Sequence, residues 1–473
     1  MSEVFWYRAA PLALILFATG LIVMAGTLAI GALLAFGLIA LIAIRPAVGA
    51  YLYLGVTPLV AGIDRDVFLP VLRIHEALLA LIIGALLLRG LARMVMGHRY
   101  SLRLSKLDVA MAALAVTGSL VATLWRFSQG EPISGDDVFY AAVFWKYLAL
   151  YVVFRVAVRT PDEARTSLWI ALFATSIVGI LAILQALGLF GVPELLFALY
   201  PPFLGETPDV GRGASTLALT FAVADVSLIC AAAALALLRQ ATGLKRHLLI
   251  GLVALYLLSA FAAGQFSGFI GIVVAAVALG VAFGEMRRVL RYGIPASIIG
   301  ALVVSPVIAE RLAGFQTGNG LPQSWNGRLD NLTRFILPEF SNGWNLLFGV
   351  RPAARVPAPE TWREWVFIES GYVWLLWSGG IPLLVAFCYF IVVCSRTLRA
   401  TMASHTSEVK AIATGAFVGI WVIAVLTIFD PHLTMRGVAD LLFPLLAMAQ
   451  VAQIARVAAA PRSHESHRVE VAG

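Results

Sequence analysis

Charge is scarce in this chain. Asp, Glu, Lys and Arg make up only 13% of it, about half the share carried by ordinary soluble domains. That excludes a solvated globular fold for most of the polypeptide. Cysteine is nearly absent too. Cys230, Cys388 and Cys394 all fall within apolar stretches, so none can brace an exposed loop with a disulfide, and their spacing suits no metal site. There is no Walker A sequence and no strand-flanked GxGxxG. The short GRGAST at 211–216 precedes an apolar helix, which excludes a nucleotide-binding fold. A fixed-period repeat and a low-complexity segment are also missing.

What fills the chain is hydrophobic residue, 61% of the total, with a mean hydropathy of +0.91. Repeated apolar stretches of about 17 to 25 residues match the roughly 30 Å hydrocarbon core of a bilayer at 1.5 Å per residue. The fold class is therefore an all-α polytopic integral membrane protein of about 14 (12–14) transmembrane helices. The expected spans are 9–25, 28–44, 47–62, 73–91, 107–125, 138–157 and 167–186, then 215–237, 247–263, 267–284, 293–309, 370–395, 409–428 and 438–455. The uncharged run from Ala9 to Ile44 would reach roughly 54 Å as one helix, too long for a bilayer. A turn near Gly26 and Thr27 divides it, and the continuing apolar sequence marks an uncleaved first helix. Residues 1–460 read as one membrane domain and 461–473 as a disordered cytoplasmic tail.

Basic loops fix the orientation. The connection 89–106 holds Arg89, Arg93, Arg99, Arg103 and Lys106 without an acid. Counting alternately from it gathers Arg155/Arg159/Arg165, Lys245/Arg246, Arg287/Arg288/Arg291, Arg396/Arg399 and the tail on the same, cytoplasmic side. Both termini are then cytoplasmic. The opposite side receives Asp64/Asp66, Glu131/Asp136/Asp137, Glu206/Asp209, His75 and His432, and one large extracytoplasmic loop over 310–369. The pI of about 9.6 reflects anchoring charge, and no nucleic-acid partner is needed to explain it.

The other loops are too short for a soluble catalytic domain, so chemistry belongs at the outer membrane boundary. Without a nucleotide site it must draw on a preactivated substrate, for which a polyprenyl-diphosphate-linked sugar is the natural bacterial candidate. Arg212 stands between Gly211 and Gly213 at the start of a helix expected near Ser215. Free backbone N–H groups and a planar guanidinium suit phosphate there, although snorkelling to the headgroups also suits an arginine. In the large loop, RLDNLTRFIL at 328–337 sets Leu329, Leu332, Phe335 and Ile336 on one helical face, with Arg328 and Arg334 away from it. Pro338 is expected to stop that helix, and RPAARVPAPE to run extended. Trp362, Trp365, Tyr372, Trp374 and Trp377 suit an interfacial aromatic belt. Lys146 and Asp225 lie mid-span, where mutual pairing would offset the cost of burial.

Several of these pieces, in order, resemble the O-antigen ligase and polymerase (Wzy/O-antigen-ligase-like) family of bacterial surface-glycan enzymes. VGRGAST is similar to the family's arginine-bearing stretch before a mid-chain helix, and AGQFSGFIGIVVAAV to its Thr-x-Ser-Arg-Gly turn, with Gln265 and Phe266 replacing the polar and basic residues. NGRLDNLTRF resembles the loop arginine followed by an apolar segment, and LLFGV the Phe-Gly-Val/Ile-Gly element. ESGYVWLLWSGGIPLL resembles the His-Asn-x-Tyr-Leu stretch, with Glu369 in the histidine slot. An Arg-x10-Gly pattern is absent, because position 223 is Val and 339 is Glu.

The resemblance implies a GT-C-like, metal-independent and cofactor-free inverting glycosyltransferase of the bacterial cytoplasmic membrane. Its donor would be a polyprenyl-diphosphate-linked oligosaccharide, its acceptor a glycan or lipid, and a flippase and chain-length regulator would be companions. It implies Glu369 as general base, and Arg212, Arg328, Arg334 and Tyr372 as substrate-binding residues. Helical spacing would put Trp365, Glu369 and Tyr372 on one face. The acid in the histidine slot favours polymerisation over ligation. A flippase, and a metal-dependent transferase using Asp64 and Asp66, are the competing readings.

Overall fold

The computed structural model describes residues 27–65, 67–68, 71–97, 104–200, 211–303, 305, 323–361, 364–404 and 407–451. The span expected at 9–25 and the tail 461–473 lie outside the described residues, as do Asp66, Arg311 and Arg363. Among the described residues the secondary structure is helical apart from one short hairpin. The helices of its first half are α1 (Thr27–Ile44), α2 (Pro46–Val60), α3 (Ile74–Val95), α4 (Lys106–Ser128), α5 (Gly135–Ala157) and α6 (Pro161–Ala186). A short α7 (Val192–Leu199) precedes α8 (Thr220–Leu238), α9 (Gly243–Ala262), α10 (Phe266–Phe283) and α11 (Met286–Val303). The large loop holds α12 (Gln323–Asn331), α13 (Leu337–Phe340), α14 (Asn345–Phe348) and strands β1 (Arg355–Pro357) and β2 (Trp365–Phe367). Then come α15 (Gly371–Ser404), α16 (Ser407–Leu426) and α17 (Val438–Met448).

Among the described residues nine helices are long and apolar enough to cross a membrane: α3 to α6, α8 to α10, α15 and α16. Shorter apolar helices lie within α1, α2 and α17. This is a multi-pass membrane protein. Exposed Leu, Ile, Val and Phe on the outward faces of α3, α6 and α15 suit hydrocarbon, where helices need no polar surface.

Between helices in lipid, close approach of small residues supplies the packing. The centre shows this well. α8 runs through Cys230, Ala231, Ala232, Ala233 and Ala234, all buried, and packs along α16. Gly415 and Gly419, one turn apart on α16, receive it: a Cβ on Gly415 would stand 3.1 Å from that of Ala233, and one on Gly419 2.8 Å from Ile229.

α15 is broken near its start. Gly380 has φ 63° and ψ −159°, which only glycine adopts readily, and Pro382 follows. A Cβ at Gly380 would collide with the carbonyl of Leu347. The loop beyond α14 tucks into this break. Val350 N–H donates to the Trp377 carbonyl at 2.7 Å, and the Trp377 indole donates to the Ala353 carbonyl at 3.0 Å. Trp374 and Trp377 are thus buried, and the interfacial belt expected of them does not form.

Three further expectations are corrected. Pro338 does not end the loop helix: a widened π-turn over Leu332–Ile336 precedes it, and α13 continues to Phe340. The widened turn, in which Leu337 N–H reaches back to the Leu332 carbonyl, accommodates the N–H that proline lacks. The span expected at 293–309 begins earlier, at Met286, and takes in Arg287, Arg288 and Arg291. Lys146 and Asp225 do not pair with each other. Lys146 Nζ lies 3.5 Å from Glu76 Oε1, and Asp225 Oδ2 lies 2.5 Å from His432 Nδ1. Each charge found a nearer partner on a helix or turn packed beside it.

Breaking a buried pair by removing one partner costs about 3–5 kcal/mol. Asp225→Asn and His432→Gln should therefore each lower the thermal unfolding temperature in detergent, and the double variant should lose little more than the worse single one. Asp225→Asn combined with Lys146→Met should instead show additive losses. Additivity of the Asp225 and His432 changes would dissolve the pair.

Candidate functional site

Both Arg328 and Glu369 sit where the large loop meets the ends of α15 and α16. Arg328 is carried by α12, whose apolar side rests on the bundle. Glu369 lies in the extended link between β2 and α15. The link is held in place because Gly371 N–H donates to the Thr427 carbonyl at 2.8 Å. β1 and β2 pair antiparallel, with Arg355 opposite Phe367, and so deliver the chain to Glu369. The connection from α16 to α17 supplies the third side. Its Phe429 and Asp430 face the loop, while His432 turns inward.

Arg328 bridges all three segments. Its Nε pairs with the Glu369 carboxylate, Nη1 donates to the Phe429 carbonyl at 3.1 Å, and Nη2 stands 3.6 Å from Asp430 Oδ1. Around this group opens a cleft of about 220 Å³. Its walls are mainly apolar, with Trp325, Leu329, Leu332, Phe367, Val373 and Ile428 lining it beside Arg328 and Glu369. One guanidinium thus serves two carboxylates, and a negative charge is left over in a half-buried setting.

That imbalance shapes the titration. Burial pushes the Glu369 carboxyl above its ordinary value, Arg328 opposes the shift, and the nearby Asp430 charge adds to it. Asp430 is also raised, first by burial, with Arg328 and His432 pulling down and Asp225 pushing up. His432 and Asp225 are fully buried beneath. Burial disfavours the imidazolium, but Asp225 more than compensates, and His432 ends above its ordinary value. The site therefore contains a carboxylate made more basic by its surroundings, next to a fork of donors suited to phosphate oxygens.

The other expected site residues fall elsewhere. Arg334 pairs with Asp330 on its own helical stretch at 2.8 Å, and both are well exposed. Tyr372 points its hydroxyl away from the cleft, donating to the Ala424 carbonyl at 2.7 Å. Trp365, Glu369 and Tyr372 do not share a helical face, because Trp365 is in β2 and the helix begins only at Gly371. Arg212 does not line the cleft. The helix expected near Ser215 starts at Thr220, after a single 3-10 turn over Ser215–Leu217. The Arg212 segment is held against α9 and α6: Gly213 N–H donates to the Ala262 carbonyl at 2.9 Å, and Ser215 N–H to Gln185 Oε1 at 2.7 Å. It adjoins the cleft through the turn into α10, where Phe266 meets Trp325 with ring centroids 6.4 Å apart.

Asp430 and the Asp225–His432 pair were missed. A signal existed: Asp430-Pro431-His432 is an acid and a histidine in a short connection between two apolar spans. No family model and no curated protein matches this chain.

Proposed function

We propose that this protein transfers or polymerises a polyprenyl-diphosphate-linked oligosaccharide at the outer face of the bacterial cytoplasmic membrane, with polymerisation favoured. One observation carries the proposal. Arg328 and Glu369, far apart in sequence, meet in one apolar-walled cleft at the end of a membrane bundle. Loop charge asymmetry supports an outward-facing position for that end. Resemblance to the O-antigen ligase and polymerase family, in the segments around these residues, supports the same reaction.

The chemistry follows from the pairing. A donor diphosphate competes for the Arg328 fork and takes it first from the loose Asp430 contact. Glu369 then loses part of its counter-charge and becomes the stronger base. It accepts the proton of the acceptor sugar hydroxyl as that oxygen attacks the anomeric carbon from the face opposite the diphosphate. The glycosidic bond forms with inversion, and the electron pair of the breaking C–O bond leaves on the diphosphate, stabilised by Arg328. Arg212, on the segment held against the end of α9, is a further candidate for the donor phosphate.

A flippase is the second reading, because ionisable groups within the bundle at Glu76, Lys146, His75 and Asp440 are of the kind that mark transport paths. A strain lacking the protein separates the two. Unextended lipid-linked oligosaccharide should accumulate in the outer leaflet, open to an impermeant oxidant of sugars. Accumulation protected from that oxidant would point to transport instead.

A further inference from the structure

A second charged cluster lies at the same end of the bundle, on the far side of the α16–α17 connection that carries Asp430. Arg436, later in that connection, sends Nη1 to Asp64 Oδ1 at 2.7 Å, and Arg73 Nη2 reaches the same oxygen at 3.3 Å. Arg65 Nη2 and Lys146 Nζ share Glu76 Oε1 at 3.2 and 3.5 Å. Four cations thus share two carboxylates. Asp440, deeper in the bundle, is taken by the Tyr53 hydroxyl at 2.8 Å and by Gly437 N–H at 2.9 Å. Even counting it, positive charge is in excess among the described residues.

Surplus charge of this kind is expensive unless an anion answers it. The donors show the same shortage. The Nε–H groups of Arg65, Arg73 and Arg436 are each buried and find no acceptor among the described residues. Arg436 is more than nine-tenths buried, with a side-chain exposure of 9%. Burial and crowding by Arg73 hold it below the ordinary guanidinium range despite Asp64. The cluster nevertheless opens outward, because Arg65 is 38% exposed and Lys146 21%. An anion arriving from the aqueous side meets Arg65 first.

We infer that Arg65, Arg73, Lys146 and Arg436 form a second anion site, one that takes the diphosphate of a second lipid-linked glycan. The identity of that anion rests on the proposed function; the demand for an anion does not. A polymerase joins two lipid-anchored chains. The acceptor sugar must reach the cleft while its own diphosphate is held apart from it, and this cluster offers such a place. Arginine forks bind phosphate oxygens in pairs, and a diphosphate brings enough negative charge to answer the surplus. A ligase with a phosphate-free acceptor needs only the site at Arg328.

The full-length protein in phosphatidylcholine nanodiscs, titrated with long-chain polyprenyl diphosphate and read by native mass spectrometry, tests this. Wild type should bind two equivalents. The Arg65→Gln, Arg73→Gln variant should keep one and bind the other about tenfold or more weakly, and Arg328→Gln should likewise keep one. If the double variant does not fold, Arg65→Gln alone carries the test, because Glu76 retains Lys146. A single wild-type equivalent, lost with Arg328→Gln but not with the Arg65 and Arg73 changes, overturns the second site and leaves the proposed function standing. Binding lost only with the Arg65 and Arg73 changes keeps this site and removes the role of Arg328. No binding at all overturns both. Displacement of the second equivalent by phosphatidylglycerol at equal concentration would make this an ordinary headgroup site and overturn the inference.

Discussion

Glu369→Gln protein should fold as wild type does and lose roughly 10²–10⁴-fold in transfer rate, the usual worth of general-base help. The amide keeps the size of the carboxylate and can still accept a hydrogen bond from Arg328. Arg328 also keeps its contacts with Phe429 and Asp430, so the loop stays attached. What is lost is the capacity to accept a proton. The wild-type pH profile should carry the same mark. Glu369 is raised above its ordinary value by burial, and it works as a base only when ionised. Activity should therefore fall as pH is lowered through a value above that of an ordinary glutamate. Glu369→His should recover part of the rate, with the acid limb moved toward the imidazole value of about 6.5. A stable, fully active Glu369→Gln enzyme would reduce Glu369 to an anchor for the loop.

Arg328→Ala should cost roughly 10²–10³-fold in kcat/KM, as removal of a donor aimed at developing charge does elsewhere. It should also leave the Glu369 and Asp430 carboxylates facing each other without a counter-charge, so some loss of stability is expected with it. Arg328→Lys separates these effects. Lysine keeps the positive charge and so the anchoring, but it replaces a fork that reaches three partners with a point charge. The lysine variant should melt near the wild-type temperature and still be slow. Near-normal turnover with lysine would mean that Arg328 only holds α12 to the bundle.

The helices were legible because apolar run length is dictated by bilayer thickness. α6, α8, α9, α10 and α16 lie within a few residues of the expected spans, apart from charged or 3-10 turns at their starts. Partner choice was not legible. The sequence marks Lys146 and Asp225 each as costly, but which acid or histidine answers them depends on neighbouring helices meeting in space. The break at Gly380 was hidden for a similar reason: its partner is the Leu347 segment, more than thirty residues earlier. Arg328 and Glu369 are visible as an arginine within one large loop and an acid at its end. Arg334 was not separable from Arg328 by sequence, because only the docking of α12 decides which arginine faces the cleft. Asp430 is harder to place, because only the docking of the loop on the α16–α17 connection sets it 3.6 Å from Arg328.

The most direct test is made with purified protein in liposomes, supplied with a defined polyprenyl-diphosphate-linked oligosaccharide. Chain length and free polyprenyl diphosphate are measured together. Wild type should build longer lipid-linked chains and release one polyprenyl diphosphate for each bond formed, whereas Glu369→Gln should do neither. Sugar crossing the bilayer with no new glycosidic bond, or equal chain growth by the Glu369→Gln protein, would contradict a transferase centred on Glu369 and Arg328.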